Sequence, residues 1–144
     1  MRHDAKLDRI HAVPLFADAD RKQLEAIASL CTEVSAGAGD VLCRRGEPGA
    51  EFFVLLDGTV TVTSGERELA TLGPGDFFGE LALLDGKARN ATVTAATDVS
   101  LLVLTRQEFT SVVHDDPHVA VRMLPAIGAR LRGGTEPASG APVV

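Results

Sequence analysis

The sequence predicts a mainly β domain with flanking α: an antiparallel, jelly-roll-like β-roll carrying N-terminal helices, a short helix within the roll, and C-terminal helices. Three observations predict it. The apolar period changes from helical to two at Thr32 and returns to helical at Thr105. Between those points, short β-rich runs recur at about ten-residue spacing with glycine turns between them, the pattern of a sandwich or a closed roll. The chain has 144 residues, 45% hydrophobic and 24% charged, an ordinary globular composition with enough length for one buried core.

The predicted elements follow in order. Ala5, Leu7 and Ile10 mark a first helix, which ends before Val13-Pro14-Leu15-Phe16 because proline disfavours helix at the residue before it and lacks its own N–H. Asp20 is placed to cap a second helix with an apolar stripe of Leu24, Ile27, Ala28 and Leu30. Val34, Val41 and Leu42 then flank the turn Gly37-Ala38-Gly39-Asp40, and Gly46-Glu47-Pro48-Gly49 turns the chain again after Arg44 and Arg45. FFVLL (52–56) is closed by Asp57-Gly58 and answered by TVTVT (59–63), which reads as a tight antiparallel hairpin. Ser64-Gly65 leads into a strand at 68–72, ended by Gly73-Pro74-Gly75-Asp76, and SLLVL (100–104) closes the roll.

Thr105-Arg106-Gln107-Glu108 is a capping box that opens a helix through Phe109, Val112 and Val113. Asp115-Asp116-Pro117 starts a last helix with Val119, Val121, Met123, Leu124, Ile127 and Leu131, which Pro125 is expected to kink or divide. Residues 1–132 therefore form a single domain: an N-terminal helical part at 1–30, the roll at 31–104 and C-terminal helices at 105–132. Residues 133–144, rich in Gly, Pro and Ala, are expected to be a disordered tail.

Composition excludes several functions. A net charge of −6 gives no general attraction to nucleic acid or to an anionic membrane. Nothing resembles a nucleophile elbow or a set acid–base pair, so the chain is not expected to be an enzyme and no catalytic residues are assigned. His3, His11, His114 and His118 fall on helical or terminal segments, not on strands where a metal-binding roll would need them, so no metal site is expected. Cys31 and Cys43 lack zinc-type spacing and read as small buried hydrophobes in a reducing compartment. The first residues lack the apolar segment of a signal peptide, and no window reaches a membrane-spanning length, so the expected location is cytoplasmic.

One stretch fits no single period: FGELALLDGKARNATVTA, residues 78–95. It reads as a strand end, a one-turn helix, a loop and a strand start. The first N–H groups of a helix lack internal partners and can meet an anion, and Gly79 leaves room for a ligand to approach the backbone. Arg89 offers a planar fork of donors suited to phosphate. Glu80 would repel a phosphate beside it but is a strong acceptor for a neutral hydroxyl. An arginine for a phosphate and a glutamate for a sugar hydroxyl together describe a nucleotide pocket.

This stretch closely resembles the phosphate-binding cassette of cyclic nucleotide-binding domains, the family of catabolite activator proteins and kinase regulatory subunits. VPLF before a helix, GDVLCRRGEPGAEFFVLLDGTVTV, LGPGDFFGE and TRQEFTSVV resemble further segments of the family, over residues 10–132. The resemblance implies a cassette at 78–91. In it Glu80 accepts the ribose 2′-hydroxyl, Arg89 pairs with the cyclic phosphate, and the backbone at Gly79, Leu81, Ala82, Asn90 and Ala91 supplies further donors.

The implied function is a stand-alone regulatory domain with cyclic AMP favoured over cyclic GMP as ligand, not as catalytic cofactor. Its output is movement of the C-terminal helices, with Pro125 and Asp116-Pro117 as hinges, read by an effector protein or second subunit. The alternative is the same fold without nucleotide, serving as a protein-interaction module. Three departures from the family pattern stand out. Ala88 replaces a frequent proline, Asn90 stands where alanine, serine or threonine is common, and an aromatic lid is missing. A lid would instead be aliphatic, from Met123, Leu124, Ile127 or Leu131. After Arg132 nothing suggests a DNA-reading helix, so this chain is not expected to bind DNA by itself.

Overall fold

Four consecutive buried residues, Phe52 to Leu55, cannot belong to a strand with one wet face. In the computed structural model, which describes residues 2–135, that strand lies at the middle of the molecule with apolar layers on both sides. The element order is α1 (Arg2–His11), a 3-10 turn (Pro14–Phe16), α2 (Arg21–Leu30), β1 (Thr32–Ala36), β2 (Val41–Cys43), β3 (Glu51–Asp57), β4 (Val60–Ser64), β5 (Arg67–Leu72) and β6 (Phe77–Phe78). Then come α3 (Glu80–Asp85), β7 (Thr92–Ala95), β8 (Val99–Thr105), α4 (Arg106–Asp115) and α5 (His118–Thr135).

The strands form two antiparallel four-stranded sheets, ordered β1-β8-β3-β6 and β2-β7-β4-β5. The period of two divides β3 and β8 between two cores. Phe52, Val54, Leu102 and Leu104 point to the helical side, where Leu7, Ile10, Phe16, Leu24, Ile27, Phe109, Val112, Val119 and Met123 cover them. Phe53, Leu55, Leu101 and Val103 point into the roll, against Val60, Val62, Leu72, Phe78 and Val93. Phe52 links the first core to its neighbours, with ring centroids 5.6 Å from Phe77 and 5.0 Å from Phe109.

Local signals set the helix starts as expected. Asp20 accepts from the Gln23 amide at 2.8 Å, and Gln23 returns a side-chain acceptor to the Asp20 amide. Thr105 and Glu108 form the same reciprocal pair. The expected hairpin at Asp57-Gly58 is not one. β3 and β4 lie in opposite sheets, and β4 pairs with β5 and β7. The turn reverses the chain, but its pairing is taken elsewhere: the Thr59 amide donates to Thr97 Oγ1, and Thr59 O accepts from the Ala96 amide. Gly58, at φ +84°, lies so close to the β7–β8 connection that a Cβ would stand 2.2 Å from Asp98 O. Close succession in sequence therefore does not compel pairing when the chain passes from one sheet to the other.

α5 runs unbroken through Pro125. The missing bond would go to the carbonyl of Val121, an exposed residue where water can replace it, so proline does not divide the helix. α5 also continues past Gly133-Gly134 to Thr135; the rest of the expected tail, residues 136–144, lies outside the described residues. Among the described residues, no helix is long and apolar enough to cross a membrane.

Candidate functional site

The short β6 ends at Phe78, and Gly79 then takes φ +91° as the cap of α3. A side chain there would meet Arg89 Nη1 at 2.7 Å and Glu51 O at 2.8 Å, so a left-handed residue without a Cβ is needed. The amides of Glu80, Leu81 and Ala82 open α3 and have no acceptor within that helix. At the far end, α4 supports the turn: Arg106 Nε donates to Leu83 O at 3.1 Å, a cation on the last turn of α3.

The loop from Gly86 returns the chain to Arg89, whose backbone is clamped to the loop before β3. Its amide donates to Glu47 O and its carbonyl accepts from the Gly46 amide, both at 2.9 Å. The side chain is 6% exposed. Nη1 donates to Gly79 O at 3.0 Å and Nη2 to Glu51 O at 2.9 Å, and Cζ lies 5.8 Å from the centroid of Phe53, which stacks on Phe78 at 4.8 Å. Among the described residues no carboxylate comes within ion-pair distance of Arg89. Neutral carbonyls hold the guanidinium in place.

Gly49, read from the sequence only as a turn residue, turns out to be the floor under that arginine. A Cβ at position 49 would stand 1.9 Å from Arg89 Nε and 2.2 Å from its Cζ.

Glu80 is fully buried. Burial pushes its carboxyl above the usual carboxylate range, and the guanidinium groups of Arg130 and then Arg89 pull it back only in part. Arg130 reaches it from α5: Nη1 donates to Glu80 Oε1 at 2.6 Å and Nη2 to Phe77 O at 2.6 Å, with Cζ 4.6 Å from the centroid of Phe77. Glu80 Oε2 is buried and has no hydrogen-bond partner.

The structure thus brings Gly79, Glu80, Leu81, Ala82 and Arg89 together around one turn. Ala91 is buried just beyond, beside Cys43 and Val93, and Asn90 is exposed. Of the aliphatic side chains expected to form a lid, two are taken up by the helical core. Met123 is buried among the helices and Ile127 packs against the same core, whereas Leu124 and Leu131 are exposed. Arg130 of α5 does reach the cassette. The sequence does carry a signal for it: Met123, Ile127 and Arg130 share one helical stripe, which places a charge on an apolar face.

The cyclic nucleotide-binding domain family model matches residues 33–116. The chain belongs to the cyclic nucleotide-binding domain family. A cyclic nucleotide-gated potassium channel of Mesorhizobium japonicum is 41% identical over 111 residues, covering 77% of this chain and 31% of the channel. The regulatory domain of Toxoplasma gondii protein kinase A, crystallised with cyclic AMP, superposes with a TM-score of 0.67 at 31% identity, over 79% of this chain and 45% of that one. The catabolite activator protein of Thermus thermophilus gives a TM-score of 0.74 at 29% identity, over 85% of this chain and 60% of that one. This chain spans about a third of the length of the curated channels it matches.

Proposed function

We propose that this domain is a regulatory module that binds a 3′,5′-cyclic nucleotide, cyclic AMP in preference to cyclic GMP. Arg89 pairs with the cyclic phosphate, Glu80 accepts from the ribose 2′-hydroxyl, and the backbone at Gly79, Leu81, Ala82, Asn90 and Ala91 completes the cradle. The observation that carries the reading is the Arg89 guanidinium, buried and bound only to neutral carbonyls. A buried charge without a counter-ion is costly, and a phosphate returns that cost as charge-assisted hydrogen bonds. The preference for cyclic AMP is supported by the cyclic AMP crystallised with the Toxoplasma relative. The ligand's presence is passed to an effector protein or second subunit through α4 and α5, which hold the cassette by Arg106 and Arg130.

Calorimetric titration with cyclic AMP and cyclic GMP tests this, with Arg89→Ala alongside. Removing one partner of a buried ion pair costs about 3–5 kcal/mol, a loss of roughly a hundredfold or more in affinity. Saturable binding that the variant loses supports the sensor. No heat and no thermal shift with millimolar nucleotide would leave the fold as a protein-interaction module.

A further inference from the structure

We propose that Asp116 and His118, at the corner between α4 and α5, form a proton-operated latch: protonation of His118 gives the buried Asp116 carboxylate the donor it lacks and stiffens the corner.

The corner is built around a carboxylate without donors. Asp116 caps the C-terminus of α4, where its amide donates to Val112 O at 2.8 Å. Its carbonyl accepts from the Val119 amide at 3.1 Å, in the first turn of α5. Pro117, between them, has no N–H to give. Asp116 is 1% exposed, and neither of its carboxylate oxygens accepts a hydrogen bond. Burial of an acidic group in that state is costly.

His118 stands beside it, with Nδ1 3.4 Å from Asp116 Oδ1, and its side chain is 67% exposed. The ring therefore meets the buried carboxylate on one side and water on the other, and it can take a proton from solvent without any opening of the core. A neutral imidazole donates from one nitrogen, whereas the protonated ring donates from both and carries a charge. Protonation turns the contact into a charge-assisted pair.

The other charged groups at the corner are engaged elsewhere or lie in water. On α4, His114 Nδ1 is 3.6 Å from Asp115 Oδ1, and both side chains are exposed. From α2, Gln23 donates to the Asp115 carbonyl at 3.1 Å, Asp20 accepts from the Gln23 amide, and Lys22 lines the cleft beside Asp115. On α5, Arg122 is bound to Asp18 at 2.7 Å. Histidine is the side chain whose charge ordinarily changes between about pH 5 and 8. Among the described histidines, His118 is the one paired with Asp116.

The sign follows from the pairing. The protonated ring finds a buried partner in the folded state and only water in the unfolded chain, so protonation favours the folded corner. The added stability is present on the acid side and is lost as the ring gives up its proton with rising pH.

Hydrogen exchange at the Asp116 and Val119 amides reads the corner directly, because their two bonds build it. Wild type, His118→Ala, Asp116→Asn and His114→Ala are compared without nucleotide at about pH 8 and about pH 5.5, with rates corrected for the intrinsic pH dependence of exchange. In wild type, protection of both amides is expected to rise about threefold to tenfold at the lower pH, between the values of a surface pair and a buried one. His118→Ala and Asp116→Asn should show no such rise. His114→Ala, whose partner is exposed, should keep it. Because His118 is a surface residue, its alanine variant tests the latch even if Asp116→Asn fails to fold.

A rise that survives in His118→Ala would mean that Asp116 takes the proton itself, and overturns the role of the histidine. Equal protection of wild type at both pH values, or weaker protection at the lower one, overturns the latch altogether. Neither outcome depends on whether nucleotide binds, so failure here is separate from failure of the nucleotide reading.

Discussion

Replacing Gly49 by alanine adds one methyl group to a turn and should disable a side chain forty residues away. The new Cβ would occupy a position 1.9 Å from Arg89 Nε, 2.2 Å from Cζ and 2.6 Å from Nη2, distances at which atoms cannot coexist. The backbone itself gives no reason for strain, because Gly49 is not among the positive-φ glycines. The full effect must therefore pass through the guanidinium, which has to leave Gly79 O and Glu51 O. Each bond to a charged donor is worth about 1.5–3 kcal/mol. Release of the arginine into water offsets part of the loss, which leaves a destabilisation of about 2–4 kcal/mol. Nucleotide affinity should fall as far as in Arg89→Ala, roughly a hundredfold or more. Calorimetry on wild type, Gly49→Ala, Arg89→Ala and the double variant is the assay. Gly73→Ala, at a turn with no heavy atom within 4 Å of the added Cβ, is the control and should bind normally. Because both changes remove the same group, the double variant should bind no worse than Arg89→Ala alone. Wild-type affinity in Gly49→Ala, or losses that add in the double variant, would refute the reasoning.

Further outcomes follow from other positions. Gly58→Ala combines φ +84° with a Cβ only 2.2 Å from Asp98 O, and should lower the urea midpoint by several tenths molar or more, without changing the ligand contacts. Glu80 has its carboxyl raised in the folded state, chiefly by burial, so the folded protein binds a proton more readily there than the unfolded chain does. Stability from that group is therefore full below the ordinary glutamate range and is lost as pH rises through the raised value. The stability of wild type relative to Glu80→Gln, read from urea unfolding, should accordingly increase as pH falls from 7 towards 5; a decrease would mean that the Arg130 pair outweighs desolvation. Burial pushes the Cys43 thiol up to about 11. At pH 8 it should carry roughly two orders of magnitude less thiolate than a free cysteine, and mass spectrometry should find it alkylated only when denaturant is present.

How far the sequence led can be seen residue by residue. The helix starts at Asp20 and Thr105 were legible because a capping box is local: donor and acceptor lie three residues apart. Glu80 and Arg89 were legible because α3 and the loop after it are short enough to keep both on one turn. Asp57-Gly58 misled because its sequence specifies a reversal, whereas the choice of sheet is made by Thr97 and Asp98, forty residues on. Gly49 gave no sign, since a glycine that spares a turn and one that spares a distant arginine look the same in one sequence. Arg130 did stand on an apolar stripe with Met123 and Ile127. Its partner, though, is fifty residues earlier, and only the docking of α5 brings the two together.

The charge count of the pocket favours a cyclic over an open-chain nucleotide. Two buried guanidinium groups, Arg89 and Arg130, stand at the cassette with one buried carboxylate, Glu80. That leaves one positive charge in excess, sheltered from water in a chain whose net charge is −6. A cyclic phosphate diester carries one negative charge and neutralises the excess. A terminal phosphate monoester loses a second proton at about pH 6 and would bring nearly two charges at neutrality. The second would have no partner among those buried groups, and like charges repel strongly where water is excluded. In the proposed reading, with Glu80 ionised, selection for the cyclic ester would need no extra contact: burying two bases against one acid would supply it.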